Sequence, residues 1–233
     1  MRVELAFKLA KTRATAWGYA LCEPVWGHRI GAWLFLRVLG LCHLLAFASL
    51  DLQLEGLLGE RGVLPAHPWL SSVEAQLGFA RFWKAPTLLW WASSDAIMHG
   101  FCRAGALLGG MVLVGIALRP CLLVLWGLYL SMVTAGTLFM GYQWDALLVE
   151  TTFLAVFLAP SGLRPHWPGQ CSGPPRIALW AVGWLLLRLM FLSGAVKLLS
   201  EDKLWSGMSA LSVHYQTQPL PTPLAWWVHQ LPL

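Results

Sequence analysis

Asparagine is absent from this 233-residue chain, so it holds no N-glycosylation acceptor. Charge is scarce as well: Asp, Glu, Lys and Arg make up 12% of residues and apolar types 58%, against about 25% and 45–50% in a soluble domain. That balance, with a mean hydropathy of +0.61, excludes an ordinary water-soluble globule and predicts a polytopic membrane protein. Strand signals are few, which excludes a barrel and leaves an all-α transmembrane helical bundle. The five cysteines are an odd number with no CxxC pair, so no disulfide framework is implied, and Cys42 and Cys121, lying in apolar runs, read as small core residues. HExxH, P-loop, GxSxG and GxGxxG motifs are missing, and no His and carboxylate stand at metal-ligand spacing. The residues alone therefore assign no catalytic group, no metal and no cofactor. Although the formal net charge is +5, the basic residues do not cluster with aromatic platforms, so nucleic acid is not a partner. Membrane lipids are, and the 15 tryptophans suit anchoring at the headgroup level.

What is present is a series of helix-length apolar runs. Residues 1–30 form a basic segment with Val3, Phe7, Ala10 and Ala14 on one helical face, read as an interfacial helix that is not cleaved. The transmembrane domain is expected over 31–199, with about five spans at 31–50, 103–118, 121–140, 144–159 and 177–199. Gly59, Gly62, Pro65 and Pro68 are expected to break regular structure between the first two spans, with a short surface helix at 72–84. The stretch PTLLWWASSDAIMHGF reads as interfacial or re-entrant. Only Arg119-Pro120 separates the second and third spans, which predicts a tight antiparallel hairpin. The small residues Gly105, Gly109, Gly110 and Gly115 suit close helix packing there. Residues 200–233 form a non-cytosolic tail.

Counting Lys and Arg on alternate sides sets the topology. With the N-terminus in the cytosol, Arg2, Lys8, Lys11, Arg13, Arg29, Arg119, Arg164 and Arg176 lie inside, while Arg61, Arg81, Lys84, Arg103 and Lys203 lie outside. Within the spans, Arg37 is near an end and snorkels, and His43 is read as a neutral histidine hydrogen-bonded to a neighbouring helix. Asp145 is placed at the lipid–water boundary, where a charge is cheap. Glu150 lies deeper in the fourth span, about 9 Å below the outer face, and Arg188, about 18 Å up the fifth, falls near the same level in a ~30 Å core. They are expected to form a buried, structural charge pair. Lys197 is the candidate functional lysine, beside the small residues Ser193, Gly194 and Ala195. Its alternatives are a desolvated base and a snorkelling interfacial cation.

Several separated stretches, RGVLP (61–65), APTLLW (85–90), LWGLYLS (125–131), YQWDALLVETTFLAVFLAP (142–160), LLRLMFLSGAVKL (186–198) and HYQTQPLPTPLAWWVHQLP (214–232), occur in an order that resembles the lipase maturation factor family. The resemblance implies an endoplasmic-reticulum membrane protein that helps secreted lipases reach their folded, assembled form. A large lumenal domain follows the spans in that family, and 200–233 reads as its truncated beginning. Client lipases or other secreted proteins would then be the partners, met on the lumenal side by a chaperone-like factor that is not an enzyme. In a bacterium the corresponding location would be the cytoplasmic membrane. SGAVKL with Trp205 and Gly207 is also similar to a short stretch of the vitamin K-dependent gamma-carboxylase and related bacterial membrane proteins. That similarity implies an alternative, an integral membrane enzyme using Lys197 as base; a structural membrane subunit is the third reading.

Overall fold

The computed structural model describes residues 25–163, 173–207, 209–217 and 222–230. Residues 1–24 of the basic segment expected to lie at the interface fall outside them. Among the described residues every regular element is helical, as the apolar periodicity requires. Two compact units are present, residues 1–182 and 183–233.

The first unit is built on α1 (Arg29–Leu57), α2 (Ala66–Leu77), α3 (Asp95–Val114), α4 (Leu118–Gly136) and α5 (Gln143–Leu158). Along α1 the residues Leu36, Leu39, His43, Phe47, Leu50 and Leu54 are buried, while Ile30, Leu34, Val38, Leu41 and Leu45 are exposed. Both stripes step by three or four residues, so one helix carries a core face and an equally apolar outer face. An outer face of that kind is stable against lipid, not water.

The most extensive interface joins α1 and α3, and glycine makes it possible. A Cβ on Gly40 would stand 2.6 Å from the Leu113 nitrogen, and one on Gly109 would stand 2.7 Å from the Leu44 nitrogen. Gly105 likewise lies directly against the Phe47 ring. Gly110, one position on, faces open space, so it is not part of this contact as the sequence had implied. Adjacent helix positions point about 100° apart, and only one of such a pair can meet a given neighbour.

Among the described residues four helical stretches are long and apolar enough to cross a membrane: Trp26–Leu57, Asp95–Val114, Leu118–Phe139 and Arg176–Leu199. The helix α5, expected as a further span, has 16 residues, about 24 Å at 1.5 Å per residue and short of a ~30 Å core. It packs chiefly on α4.

Boundaries differ from expectation where a helix start tolerates what a helix interior does not. Asp95–Phe101, expected to be interfacial, forms the first two turns of α3. Pro68 and Pro120 lie within the first turn of α2 and α4, where no intrahelical partner awaits the missing N–H. The break between α3 and α4 falls instead at Gly115, whose φ of 95° caps α3, and at Ala117 with φ 47°. Ala85–Trp90 straps across α4: the Thr87 hydroxyl donates to the Ser131 carbonyl at 3.2 Å, and the Leu88 N–H donates to the Ser131 hydroxyl at 2.9 Å.

Arg37 does not snorkel. It is buried, its guanidinium donates to the Val112 carbonyl at 3.3 Å, and it packs against Gly115 and over the Trp33 ring. The last carbonyls of α3 carry partial negative charge and lack intrahelical donors, so a cation there satisfies both needs.

The second unit continues α6 (Arg176–Leu199) from residue 183 and adds a single turn at Lys203–Ser206, α7 (Ala210–Thr217) and α8 (Pro223–His229). Asp202 caps the single turn by accepting from the Leu204 N–H at 2.9 Å, and Thr222 caps α8 by accepting from Ala225. Pro223 sits at the start of α8, where its fixed φ suits a first helical turn.

Candidate functional site

Two polar pairs lie inside the first unit, between elements that are otherwise apolar. On one level, His43 of α1 and Thr152 of α5 are both fully buried, with His43 Nε2 2.7 Å from Thr152 Oγ1. The threonine hydroxyl donates its proton to the Leu148 carbonyl at 2.6 Å, so we assign the imidazole N–H to Nε2, donating to the hydroxyl. Nδ1 is then the acceptor nitrogen, and it has no hydrogen-bond partner among the described residues. The expected bond from His43 to a neighbouring helix is present.

On the next level, the Tyr129 hydroxyl of α4 donates to Asp145 Oδ1 of α5 at 2.6 Å, and both residues are buried. Asp145 is therefore enclosed by protein, where the sequence had suggested a solvated charge. Its position in the first turn of α5 adds the favourable field of a helix N-terminus to the hydrogen bond. Aromatic rings join the two levels: Tyr129 stands edge-on to both His43 and Phe47, with centroids 5.4 Å away in each case. Polar side chains buried among apolar helices are expensive, and each of these has a partner on another helix, which fixes register.

A crevice runs beside these pairs. One cavity of about 380 Å³ is lined by apolar side chains of α1 and α5, among them Val38, Ala46 and Leu147. A second, of about 270 Å³, is lined by Ser49, Gln53 and Asp145 as well as apolar groups. Ala46, Tyr129 and Trp144 line both. Cys42, expected in the core, instead lies on the first cavity and is exposed, whereas Cys121 is a buried free thiol as expected, and so is Cys102.

A separate charged cluster ties the C-terminal half of α1 to the start of α3. His99 Nδ1 stands 2.5 Å from Asp51 Oδ1, Arg103 Nε 3.5 Å from Asp51 Oδ2, and His99 Nε2 3.6 Å from Glu55. Among the described residues no three His, Cys, Asp or Glu side chains stand together as a metal site would need.

Of the residues singled out in the sequence, Glu150 lies on α5 at an exposed position, turned by about 140° from Asp145 and about 160° from Thr152 at 100° per residue. Arg188 belongs to the second unit. Lys197, also in the second unit, is exposed and holds its ammonium 4.7 Å from the centre of the Trp205 ring.

The sequence reading missed the Tyr129–Asp145 pair. Its signal was a tyrosine inside an apolar run, whose hydroxyl needs a partner when buried.

Residues 30–233 match the family described as the lipase maturation factor transmembrane domain. The chain is 41% identical to lipase maturation factor 2 of Xenopus laevis over 214 residues, covering 88% of this chain and 30% of that protein. It is 41% identical to lipase maturation factor 2 of Homo sapiens over 225 residues, covering 89% and 31%. With lipase maturation factor 1 of Bos taurus it shares 33% identity over 207 residues, 84% of this chain and 36% of that protein. The chain thus spans about a third of the length of these relatives. No solved structure matches it. Matched over nearly all its length and in the same helical, membrane-spanning class, the chain belongs to the lipase maturation factor family.

Proposed function

We propose that this chain is the membrane-embedded part of a factor for the maturation and assembly of secreted lipases, holding its clients on the lumenal face of the endoplasmic-reticulum membrane. The observation that carries this reading is the family match across residues 30–233, since the relatives are named for lipase maturation. Its mechanism is binding, without bond making. The segment between α1 and α3 supports it: Phe79, Trp83 and Trp91 are each more than three-quarters exposed, and exposed aromatic groups of this kind mark protein or membrane contacts. The carboxylase-like alternative has less support, because Lys197 is exposed with its side chain laid over Trp205, whereas a catalytic base works from an enclosed pocket beside its substrate.

The test is a chimera in cells lacking a lipase maturation factor. A full-length relative has its transmembrane region replaced by this chain and is co-expressed with a secreted lipase. Recovery of active lipase in the medium is the expected result. A chimera that accumulates in the membrane like the intact relative, yet leaves the lipase inactive, overturns the reading.

A further inference from the structure

We propose that the crevice between α1 and α5 binds an amphiphile with one apolar chain and a neutral, hydroxyl-bearing head, a monoacylglycerol being the model ligand. The inference rests on the crevice alone and not on the client role. Its apolar part follows α1 from Phe35 to Ala46, about 17 Å at 1.5 Å per residue, which matches roughly half of a ~30 Å hydrocarbon core, the depth of one leaflet's acyl chain. Access is lateral: Val38 and Trp144 line the crevice while remaining 51% and 65% exposed. Together the two cavities fall within the size of small-molecule sites, about 300–1,000 Å³.

The polar part selects the head. Asp145 is buried, and its side chain has one neutral partner, Tyr129, among the described residues. A buried carboxyl group with a single neutral hydrogen bond retains acceptor capacity that a ligand donor would fill. Ser49 and Gln53 stand beside it: the Gln53 amide donates to the Ser49 hydroxyl at 3.0 Å, leaving the amide oxygen as a further acceptor. No Lys or Arg lines this part. A phosphate or carboxylate head would meet a carboxyl group with no counter-charge, and a choline head brings no donor. A glycerol head supplies two hydroxyl donors to acceptors already in place.

The purified full chain, reconstituted in phosphatidylcholine nanodiscs, is photolabelled with a monoacylglycerol carrying a diazirine in its chain, and the sites are mapped by peptide mass spectrometry. Labels are expected on residues 35–46 and 144–151. Unlabelled monooleoylglycerol should compete at least about tenfold better than oleate or lysophosphatidylcholine. Val38→Trp fills the crevice from its lipid-exposed rim without entering the core, and it should remove those labels while thermal stability is unchanged. Asp145→Asn should weaken the preference for the glycerol head. Labels spread evenly over the outer stripe Ile30, Leu34 and Leu45 and untouched by Val38→Trp overturn the proposal. Equal competition by oleate or lysophosphatidylcholine also overturns it, because the head would then not be read; neither result depends on the Asp145 variant folding.

Discussion

The Tyr129 hydroxyl donates to Asp145 at 2.6 Å across the α4–α5 interface, with both side chains nearly excluded from the surface. The bond joins a donor in the middle of α4 to the first turn of α5. It also fixes the register in which Arg119 Nε donates to the Ala159 carbonyl at 2.7 Å at the opposite end of α5. Two polar contacts, one near each end, thus pin α5 to α4.

Tyr129→Phe should therefore cost about 1–3 kcal/mol, because it leaves a buried acceptor without its partner. The double variant Tyr129→Phe with Asp145→Leu should cost less than the two single changes added together. Thermal unfolding in detergent micelles followed by circular dichroism reads both. Strict additivity would show that the bond contributes nothing to the fold.

The glycines of α3 give a sharper contrast. A methyl group on Gly109 meets backbone 2.7 Å away, while one on Gly110 meets open space. Gly109→Ala should destabilise by about 1–3 kcal/mol through overpacking. Gly110→Ala should be neutral or slightly stabilising, since alanine is the better helix former. Equal effects in the same unfolding assay would mean that α1 and α3 are not held at glycine distance.

How much of this was legible follows from what each residue carries by itself. His43 announced its need for a partner because it is a lone polar group in an apolar helix, and Thr152 meets it. The spacing of Gly105 and Gly109 announced a close crossing, but excluding Gly110 needs the helix phase relative to a neighbour, which composition does not hold. The burial of Asp145 was not legible, because the partner that accompanies it, Tyr129, stands 16 residues away on another helix. Arg37 was misjudged for the same reason: the carbonyl it reaches belongs to Val112, far along the chain. Helix existence was a local property, and the polar pairing was not.

The topology expected from charge is open to direct measurement. Single cysteines at Ser71 in α2 and Ser161 after α5, in a background without other cysteines, should react with a membrane-impermeant maleimide from opposite sides, Ser71→Cys from the non-cytosolic side. Labelling of both from one side rejects the arrangement.

Glu150 and Arg188 are proposed to pair, on the depths that the sequence assigns them. Removing one charge should then destabilise more than replacing both, Glu150→Leu alone being worse than Glu150→Leu with Arg188→Leu. A cycle in which the double variant is the sum of the singles sinks the pairing.

The His43–Thr152 contact allows its proton to be located by substitution. With the threonine hydroxyl spent on the Leu148 carbonyl, the imidazole must donate through Nε2, and Thr152 must accept. Thr152→Val keeps the shape of the side chain but removes the acceptor, leaving a fully buried N–H with nothing to receive it. The expected cost is about 1–3 kcal/mol. Thr152→Ser retains the oxygen and should recover most of that stability, short of the lost methyl contact. His43→Phe in the Thr152→Val background removes the orphaned donor and should restore part of what the valine lost, since two apolar partners leave no polar group unpaired. Unfolding midpoints of the four proteins decide the matter, and a Thr152→Val protein as stable as the parent would show that this histidine is not held by the threonine.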